Sequence, residues 1–503
     1  MEVRTFTDEE KKQIITQYNR LLFANLKRGV LQDLQNNSTE SVLYKKYKKT
    51  DILKYLESPQ KFEKELRELS CYLYIVSSHY RRLIDYFPYI LLYNYNVIPT
   101  KTPIKTDKKK YLESYKKIIE ECEKYNFKHE AAKAIKIVVK EGVFFGLCYE
   151  STDSFFIRPV PNKYAQINSI EDGVFTFEFD LNYFNGKKDI LPMYGNEFVK
   201  AYEAYKGNPE KNIPADKTKR WFEPSNGICL KADESDPYYS LPLFTGLLTS
   251  IFDIEDYKML NKAKAENDNY KALGLQLETE EGIPTMDFEL AEKYYNQIVQ
   301  NIGNDGIGVF LSPFTVKDFS FASTKSSDSN DVIDAEEEFY MSSGVNALLF
   351  GSSKANSSSS MLLSVKPDEQ VAYSILLQFQ RFFNKKLKKK NMEYTFKVEF
   401  TPQSIFNATE YIDKYSKAAQ LGLPVKIAYA TSLSLTPSDI YNMTYLEEEV
   451  LELSKSKWLS PLVSSNTQGS IDSSSGRPTN ESQGKVLTES GENTRESGAN
   501  DNR

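Results

Sequence analysis

The sequence predicts a mainly helical α+β protein, and two patterns lead to that prediction. Long stretches with apolar residues at helical spacing occupy both halves of the chain. Between them, from Phe144 to about Leu230, short runs of apolar residues are separated by Pro, Asn, Asp and Gly, which is typical of strands joined by turns. Because the 503 residues exceed what one simple core accommodates, we expect several packed units.

Three helices are predicted before residue 144. They cover Thr7–Gln35, Leu66–Tyr86 and Lys109–Val143. We expect the second to break or kink at Pro88, because proline lacks the backbone N–H that a helix uses. Gly142 or Gly146 is expected to end the third helix.

Strands are predicted between residues 155 and 230. They cover Phe155–Pro161, Tyr164–Ile170, Val174–Leu181 and Trp221–Leu230. Phe175–Phe179 alternates large apolar and polar side chains, as a strand with one buried face does.

A small α/β insert flanked by helices is predicted in the middle of the chain. Leu243–Asn269 is the helix that precedes it, and Asp331–Ser342 is the helix that follows it. Inside the insert, strands are predicted at Tyr270–Leu277, Gly306–Leu311 and Val316–Phe321, and a helix at Asp287–Gln300. One helix therefore enters a compact module and another leaves it, which is the pattern of a projecting stalk and tip.

A serine-rich loop follows the insert, within Gly344–Ser364. Its composition cannot bury a core, so we expect it to be mobile. Pro367 is expected at the first position of the helix Pro367–Asn391, with Asp368 and Glu369 in the first turn. Further on, we predict a strand at Thr395–Thr401 and helices at Asn407–Leu421 and Pro437–Lys455. We predict that the polar tail, Ser464–Arg503, is disordered in isolation.

Composition and charge exclude several classes of protein. The net charge of −6, from 64 Lys and Arg against 70 Asp and Glu, is unlike that of a protein that binds DNA phosphates tightly. It permits loose passage of DNA, or no DNA role. The longest apolar run, Phe87–Tyr95, is too short to cross a membrane, and Met1–Glu10 lacks the features of a targeting peptide. The four cysteines are widely spaced, which favours a reduced, cytosolic chain. The high aromatic content, with 34 Tyr and 30 Phe, either suits subunit interfaces or reflects an AT-rich genome.

No enzyme chemistry and no cofactor or metal site are predicted. The two histidines, His79 and His129, have no cysteine nearby and no zinc-binding spacing, and no GxxxxGK[ST] phosphate loop occurs. Asp328–Glu338 lacks the glycine of a calcium loop, so we expect an acidic helix start there.

Each of three groups of basic residues has two possible interpretations. Lys385–Lys390 either binds nucleic acid or is the solvated end of a helix, where cations complement the dipole. Arg81 and Arg82 either contact an acidic partner or form intersubunit or solvated pairs. Lys354 either makes transient phosphate contacts or is a solvated loop lysine.

Several segments resemble portal proteins of tailed bacteriophages that infect low-GC Gram-positive hosts. Phe156–Phe184 resembles the β-rich wing of that family, Leu241–Tyr270 its first stem helix, and Phe339–Ser364 the end of its second stem helix with the tunnel loop. Gly476-Arg477-Pro478 and Thr488–Asn500 resemble its polar C-terminus. The resemblance covers most of the chain. It rests on the order and the residue patterns of these segments and not on a catalytic signature.

The resemblance implies a portal-like fold with a defined order of parts. They are N-terminal helices and wing (1–240), stem helix 1 (241–269), clip (270–323), stem helix 2 (324–345), tunnel loop (346–366), long helix with the remaining wing and the start of the crown (367–457), and a polar tail (458–503). The candidate channel-loop residues are Ser352, Ser353, Lys354, Asn356, Ser357 and Ser358. The candidate residues for partner docking on the clip are Tyr270, Glu278, Glu281, Asp287 and Tyr294.

The implied function is a non-enzymatic ring, usually a dodecamer, that forms the DNA channel at one capsid vertex. Through it the genome is packaged, retained and ejected. The implied partners are further copies of the chain, the terminase large subunit, the head–tail adaptor, the major capsid and scaffold proteins, and double-stranded DNA, with no membrane. The ring would be assembled in the host cytoplasm and reside in the virion. The main alternative is another virion structural protein, such as a baseplate or vertex component without a channel, and an enzyme with a site that the sequence hides is a third class.

Overall fold

The computed structural model describes residues 46–101, 107–211, 213–269, 330–350, 358–390 and 393–453, and short stretches between 271 and 320. From 260 to 333, side chains are described only at 290, 293, 294, 296 and 297. The predicted helix Thr7–Gln35 and the predicted polar tail Ser464–Arg503 lie outside the described residues. The chain divides into two compact units, 1–438 and 439–503.

Helices dominate the described chain, and the α+β prediction is confirmed. In chain order they are α1 (Lys49–Glu57), α2 (Glu63–Val76), α3 (Ser78–Ile90), α4 (Lys108–Lys124), α5 (Phe127–Glu141), α6 (Asn196–Lys206), α7 (Ser250–Asn269), α8 (Asn330–Ser342), α9 (Ser358–Lys388), α10 (Ala408–Gln420), α11 (Lys426–Ser432) and α12 (Pro437–Tyr445). The strands are β1 (Tyr95–Pro99), β2 (Val143–Glu150), β3 (Phe155–Pro159), β4 (Ala165–Glu171), β5 (Val174–Asp180), β6 (Trp221–Phe222), β7 (Gly227–Lys231), β8 (Lys271–Gln276), β9 (Thr279–Glu280), β10 (Ile283–Pro284), β11 (Ile307–Ser312), β12 (Phe319–Ser320) and β13 (Phe396–Phe400).

Two of the predicted N-terminal helices are each split in two. The predicted helix Leu66–Tyr86 is interrupted at Ser77, whose extended backbone ends α2 and whose side chain accepts a hydrogen bond from the N–H of Tyr80 in α3. The helix does not break at Pro88, which lies buried inside α3, but it ends two residues later at Ile90.

The predicted helix Lys109–Val143 is interrupted between α4 and α5. Asn126 adopts a left-handed conformation there, with φ of 45°. Gly142 ends α5 as predicted, with φ of 81°. A Cβ at Gly142 would lie 2.4 Å from the backbone of Leu241, so this helix end requires glycine.

An antiparallel sheet follows α5, in the strand order β3-β2-β7-β5-β4, with β6 paired to the end of β5. The predicted strands Phe155–Pro161, Tyr164–Ile170 and Val174–Leu181 are confirmed as β3, β4 and β5. The predicted strand Trp221–Leu230 is two strands rather than one, and β2 was not predicted. The edge strand β3 is protected by a helix: the N–H of Ile157 donates to Glu130 of α5 at 2.9 Å, and its carbonyl accepts from Lys133 at 2.7 Å.

Helix α6 was not predicted, and it covers one face of this sheet. Its buried Phe198, Tyr202 and Tyr205 pack with Phe179 and Phe184 into one aromatic cluster. Part of the high tyrosine content therefore serves the core of the chain itself rather than subunit interfaces.

The long helix α9 packs on the N-terminal helices through a second aromatic cluster. The rings of Phe379 and Phe383 lie against Phe127 of α5 and Phe400 of β13, with centroid distances of 5.0 to 6.3 Å between these groups. Strand β13 follows the insert in the sequence and pairs with β1, which precedes it. Segments on both sides of the insert therefore pack together.

The C-terminal unit begins within α12. This helix ends at Tyr445 and continues as a single π-helical turn, Leu446–Val450, so the predicted helix Pro437–Lys455 is shorter than expected. The side chains of residues 439–453 are all exposed or partly exposed.

Candidate channel and docking segments

The helices that flank the insert pack against each other as a pair. Helix α7 leads into the insert and α8 leads out of it. The 20 residues of α7 correspond to a length of about 30 Å. The start of α7 is held in the body by the buried Ile251, Phe252 and Ile254, and the end of α8 by the buried Phe339 and Tyr340. We call the pair α7 and α8 the stalk.

The described part of the stalk is acidic. In the sequence, the two helices together carry ten Asp and Glu residues and three lysines, Lys258, Lys262 and Lys264. Lys49 of α1 pairs with Asp253, and Lys258 lies 3.7 Å from Glu255. The acidic helix start expected at Asp328–Glu338 is present from Asn330, the first residue of α8.

The insert, which we call the tip, holds a three-stranded sheet in the order β11-β8-β12 and a hairpin of β9 and β10. Strands β8 and β11 are parallel, and β12 is antiparallel to β8. Of the candidate docking residues, Tyr294 lies in a helical stretch and is 52% exposed. The other four, Tyr270, Glu278, Glu281 and Asp287, lie outside the described residues.

The candidate channel-loop residues Ser352, Ser353, Lys354, Asn356 and Ser357 lie outside the described residues. The sixth, Ser358, is the first residue of α9 and does not belong to a loop. The expectation that Pro367 begins this helix was wrong, since α9 starts nine residues earlier and Pro367 lies inside it. Met361, Leu362 and Leu363 favour helix, and Val365 is fully buried, which together outweigh the hydrogen bond that proline cannot make.

The segment that ends at Phe350 is held against α8 and α3 by the contacts of this residue. The Phe350 ring stacks on Tyr340 of α8, with 4.5 Å between centroids and parallel planes, and it meets the edge of Tyr86 of α3 at 5.8 Å. Arg82 of α3 donates from Nη1 to the Phe350 carbonyl at 3.1 Å, and its guanidinium lies 5.6 Å from the Phe350 ring centroid. Of the two arginines whose role was open, Arg82 therefore holds this turn, while Arg81 lies 3.7 Å from Asp85.

His79 connects the stalk to the same face of α3. Its Nε2 lies 3.2 Å from Oε1 of Glu336, and its Nδ1 lies 3.3 Å from Oη of Tyr340. Burial lowers the pKa of His79, which favours the neutral ring near pH 7. Because a carboxylate only accepts hydrogen bonds, this geometry assigns the proton to Nε2, and Nδ1 accepts from the Tyr340 hydroxyl.

Asp368 and Glu369 were expected in the first turn of a helix, but they are buried and lie ten or more residues inside α9. Oδ2 of Asp368 accepts a hydrogen bond from Oη of Tyr86 at 3.2 Å, and burial raises the pKa of Asp368 to about 6. Glu369 accepts from the hydroxyl of Ser404 and, at 3.2 Å, from the amide of Asn407. Helix α9 is therefore tied by neighbouring residues to α3 on one side and to the segment after β13 on the other.

The lysines at the end of α9 are paired with acids of the chain itself. Lys385 contacts Glu171 at 2.9 Å and Lys388 contacts Asp172 at 2.8 Å, both at the turn between β4 and β5. Lys386 contacts Glu150, and Lys390 contacts Glu121 and Glu150. These pairs favour a structural role for most of the run Lys385–Lys390 over a nucleic-acid site.

Within the described residues, His, Cys, Asp and Glu side chains form no group that could hold a metal ion. The helices of that part of the chain include none with the length and apolar composition of a membrane span. A groove of 510 Å³ that the sequence did not predict lies between α6 and β6, with Ala201, Trp221 and Phe222 in its lining and charged residues such as Lys200 and Glu223 beside them.

Comparisons with known proteins find no matching protein family and no matching curated protein. Similar solved structures include the neck of an empty gene transfer agent (GTA) particle computed with C6 symmetry (TM-score 0.37), the virion of a native GTA particle (0.39) and the neck of a native GTA particle computed with C12 symmetry (0.37). Each is 10% identical in sequence, and the matches cover 71 to 72% of this chain and 93 to 94% of the other.

Proposed function

We propose that the chain is the subunit of a portal-type ring, which forms a DNA channel at one vertex of a phage capsid. The observation that carries the proposal is the order of three parts: an acidic stalk of two paired helices, a small tip at its end, and a short segment after the stalk that is anchored on both sides. Phe350 anchors the segment before residue 351, and Asn346 donates to Ser364 of α9 at 2.8 Å. The proposal assigns no catalytic activity to the chain.

The charge of the stalk supports passage of DNA rather than tight binding. Each phosphate that a protein neutralises adds affinity through release of counterions, so a strongly basic channel would retain DNA. The described stalk residues carry more carboxylates than cations, and the lysine run at the end of α9 is occupied by internal ion pairs. Lys354 is the single charged residue of the sequence Ser352–Ser357, so DNA contacts through this segment would be light.

An exposed apolar surface on the helices after β13 supports assembly with further copies of the chain. Helix α10 is amphipathic but has no buried residue. The large apolar side chains around it are 42 to 81% exposed, and they are Ile405, Leu421, Leu423, Ile427, Leu433 and Leu435. Monomeric proteins seldom leave so many neighbouring apolar groups in water, and a ring covers such surfaces between its subunits.

Analytical ultracentrifugation of the full chain tests the assembly. We expect a closed oligomer with one defined number of subunits, and a stable monomer at micromolar concentration would contradict the proposal. The docking role of the tip is tested on the assembled ring with Tyr294→Ala. We expect weaker capture of the terminase large subunit and of the head–tail adaptor, whereas unchanged capture would exclude Tyr294 from docking.

Deletion of residues 352–357 tests the channel role of this segment. The anchors at Phe350 and Ser364 remain in the deletion variant, so we expect the ring to assemble but DNA packaging to be impaired. Lys354→Ala is the matched variant, and it should reduce packaging less than the deletion because it removes one screened contact. Normal packaging by the deletion variant would refute the channel role.

A further inference from the structure

One face of α3 contacts three separate segments of the chain. His79, Arg82 and Tyr86 follow each other at intervals of three and four residues, so they lie on the same face of the helix. His79 contacts α8 of the stalk, Arg82 contacts the turn that ends at Phe350, and Tyr86 contacts Asp368 of α9. We call His79, Arg82 and Tyr86 the α3 ladder.

Phe350 connects the two ends of the α3 ladder. Its ring contacts Tyr340, which also binds His79, and it contacts Tyr86, which also binds Asp368. Contacts therefore run without interruption from α8 through Phe350 to α9. Each step is a ring contact or a directional hydrogen bond, and such contacts have discrete geometries rather than a continuous range.

We infer that the α3 ladder is a joint that couples the stalk helix α8 to the long helix α9, with Phe350 as the connecting side chain. A displacement of α8 separates Tyr340 from Phe350. The Phe350 ring then leaves the edge of Tyr86, and the Tyr86 hydroxyl loses its fixed position against Asp368. An event at the tip would reach α9 by this route. The inference concerns contacts within one chain and does not depend on the proposed ring.

The coupling is tested by a substitution in α8 whose effect on α9 is measured by hydrogen–deuterium exchange of the full chain. Glu336→Ala removes one of the two contacts that His79 makes with α8 and leaves the contact with Tyr340. Exchange is measured in the first turns of α9, residues 358–370. We expect exchange there to be about threefold faster or more, in the range that residues along a coupling route produce. In a Phe350→Ala background, the same substitution should add less than about half of that acceleration, because the connection is already removed.

Two controls make the result specific. Tyr89→Ala changes a residue of α3 that is 64% exposed, and it should leave α9 exchange unchanged. Unchanged exchange in β2 and β5 shows that each variant is folded, and Phe350→Leu replaces Phe350→Ala if the latter does not fold. The inference is overturned if Glu336→Ala accelerates exchange in α8 alone, or if the response of α9 persists without the Phe350 ring.

Discussion

Replacing Asp368 by asparagine should stabilise the chain at neutral and alkaline pH. The Asp368 side chain is 6% exposed, and burial raises its pKa from 3.8 to about 6, with the charge of Glu369 adding to the rise and the Tyr86 hydrogen bond opposing it. The folded state therefore holds the proton more tightly than the unfolded chain does. Ionisation of Asp368 lowers stability progressively as the pH rises from about 4 to about 6, and the loss is complete above that range.

The size of the effect follows from the pKa shift. A shift of about two units corresponds to at most about 3 kcal/mol, so we expect Asp368→Asn to raise the free energy of unfolding by about 1 to 3 kcal/mol at pH 8. Asparagine keeps the volume and leaves an oxygen that accepts from Tyr86. The gain should shrink towards zero as the pH is lowered to about 4, where Asp368 is largely protonated in both states.

Urea denaturation followed by tryptophan and tyrosine fluorescence at several pH values measures this gain. Glu369→Gln is the matched control, because it exchanges one acceptor of the Ser404 and Asn407 hydrogen bonds for a donor and should destabilise the chain at pH 8, where Asp368→Asn stabilises it. A gain for Asp368→Asn that is absent at pH 8, or that is equal at both pH values, would refute the reasoning.

Three further substitutions test the fold and the assembly. Glu130→Ala should lower the free energy of unfolding by about 1 to 3 kcal/mol in urea denaturation, since the N–H of Ile157 loses its buried acceptor; an unchanged midpoint would show that water replaces it. Gly142→Ala should destabilise by more than about 1 kcal/mol in the same assay, because of its positive φ and the close backbone of Leu241, and a neutral result would mean that this helix end adjusts. Leu421→Ser should weaken subunit association in sedimentation without lowering the melting temperature, and unchanged association would exclude this residue from an interface.

The sequence predicted elements well where the local pattern determines the structure. Strands β3, β4 and β5 were predicted because alternation and turn residues are local signals, and the Gly142 helix end because a left-handed residue there favours glycine. Strand β2 was missed, because consecutive buried residues give it no alternation. Helix α6 was missed because its buried residues are mainly tyrosine and phenylalanine among charged residues, a composition that also occurs in loops and strands.

Signals that depend on tertiary structure were misinterpreted or not visible. Pro367 is a common first residue of a helix, but the burial of Val365 extends α9 beyond it towards the N-terminus. The contact of Arg82 with Phe350 joins residues 268 positions apart, and no spacing rule detects such a pair. The lysine run at the end of α9 has the pattern of a nucleic-acid site, and only the positions of Glu150 and Glu171 reveal its internal pairing.

The proposed function requires the chain to form a ring around a channel. Negative-stain electron microscopy of the purified full chain, with class averages viewed along the particle axis, shows whether it does. The proposal predicts a closed ring with an open centre. Monomers, or assemblies without an axial opening, would contradict it and favour a virion component that has no channel.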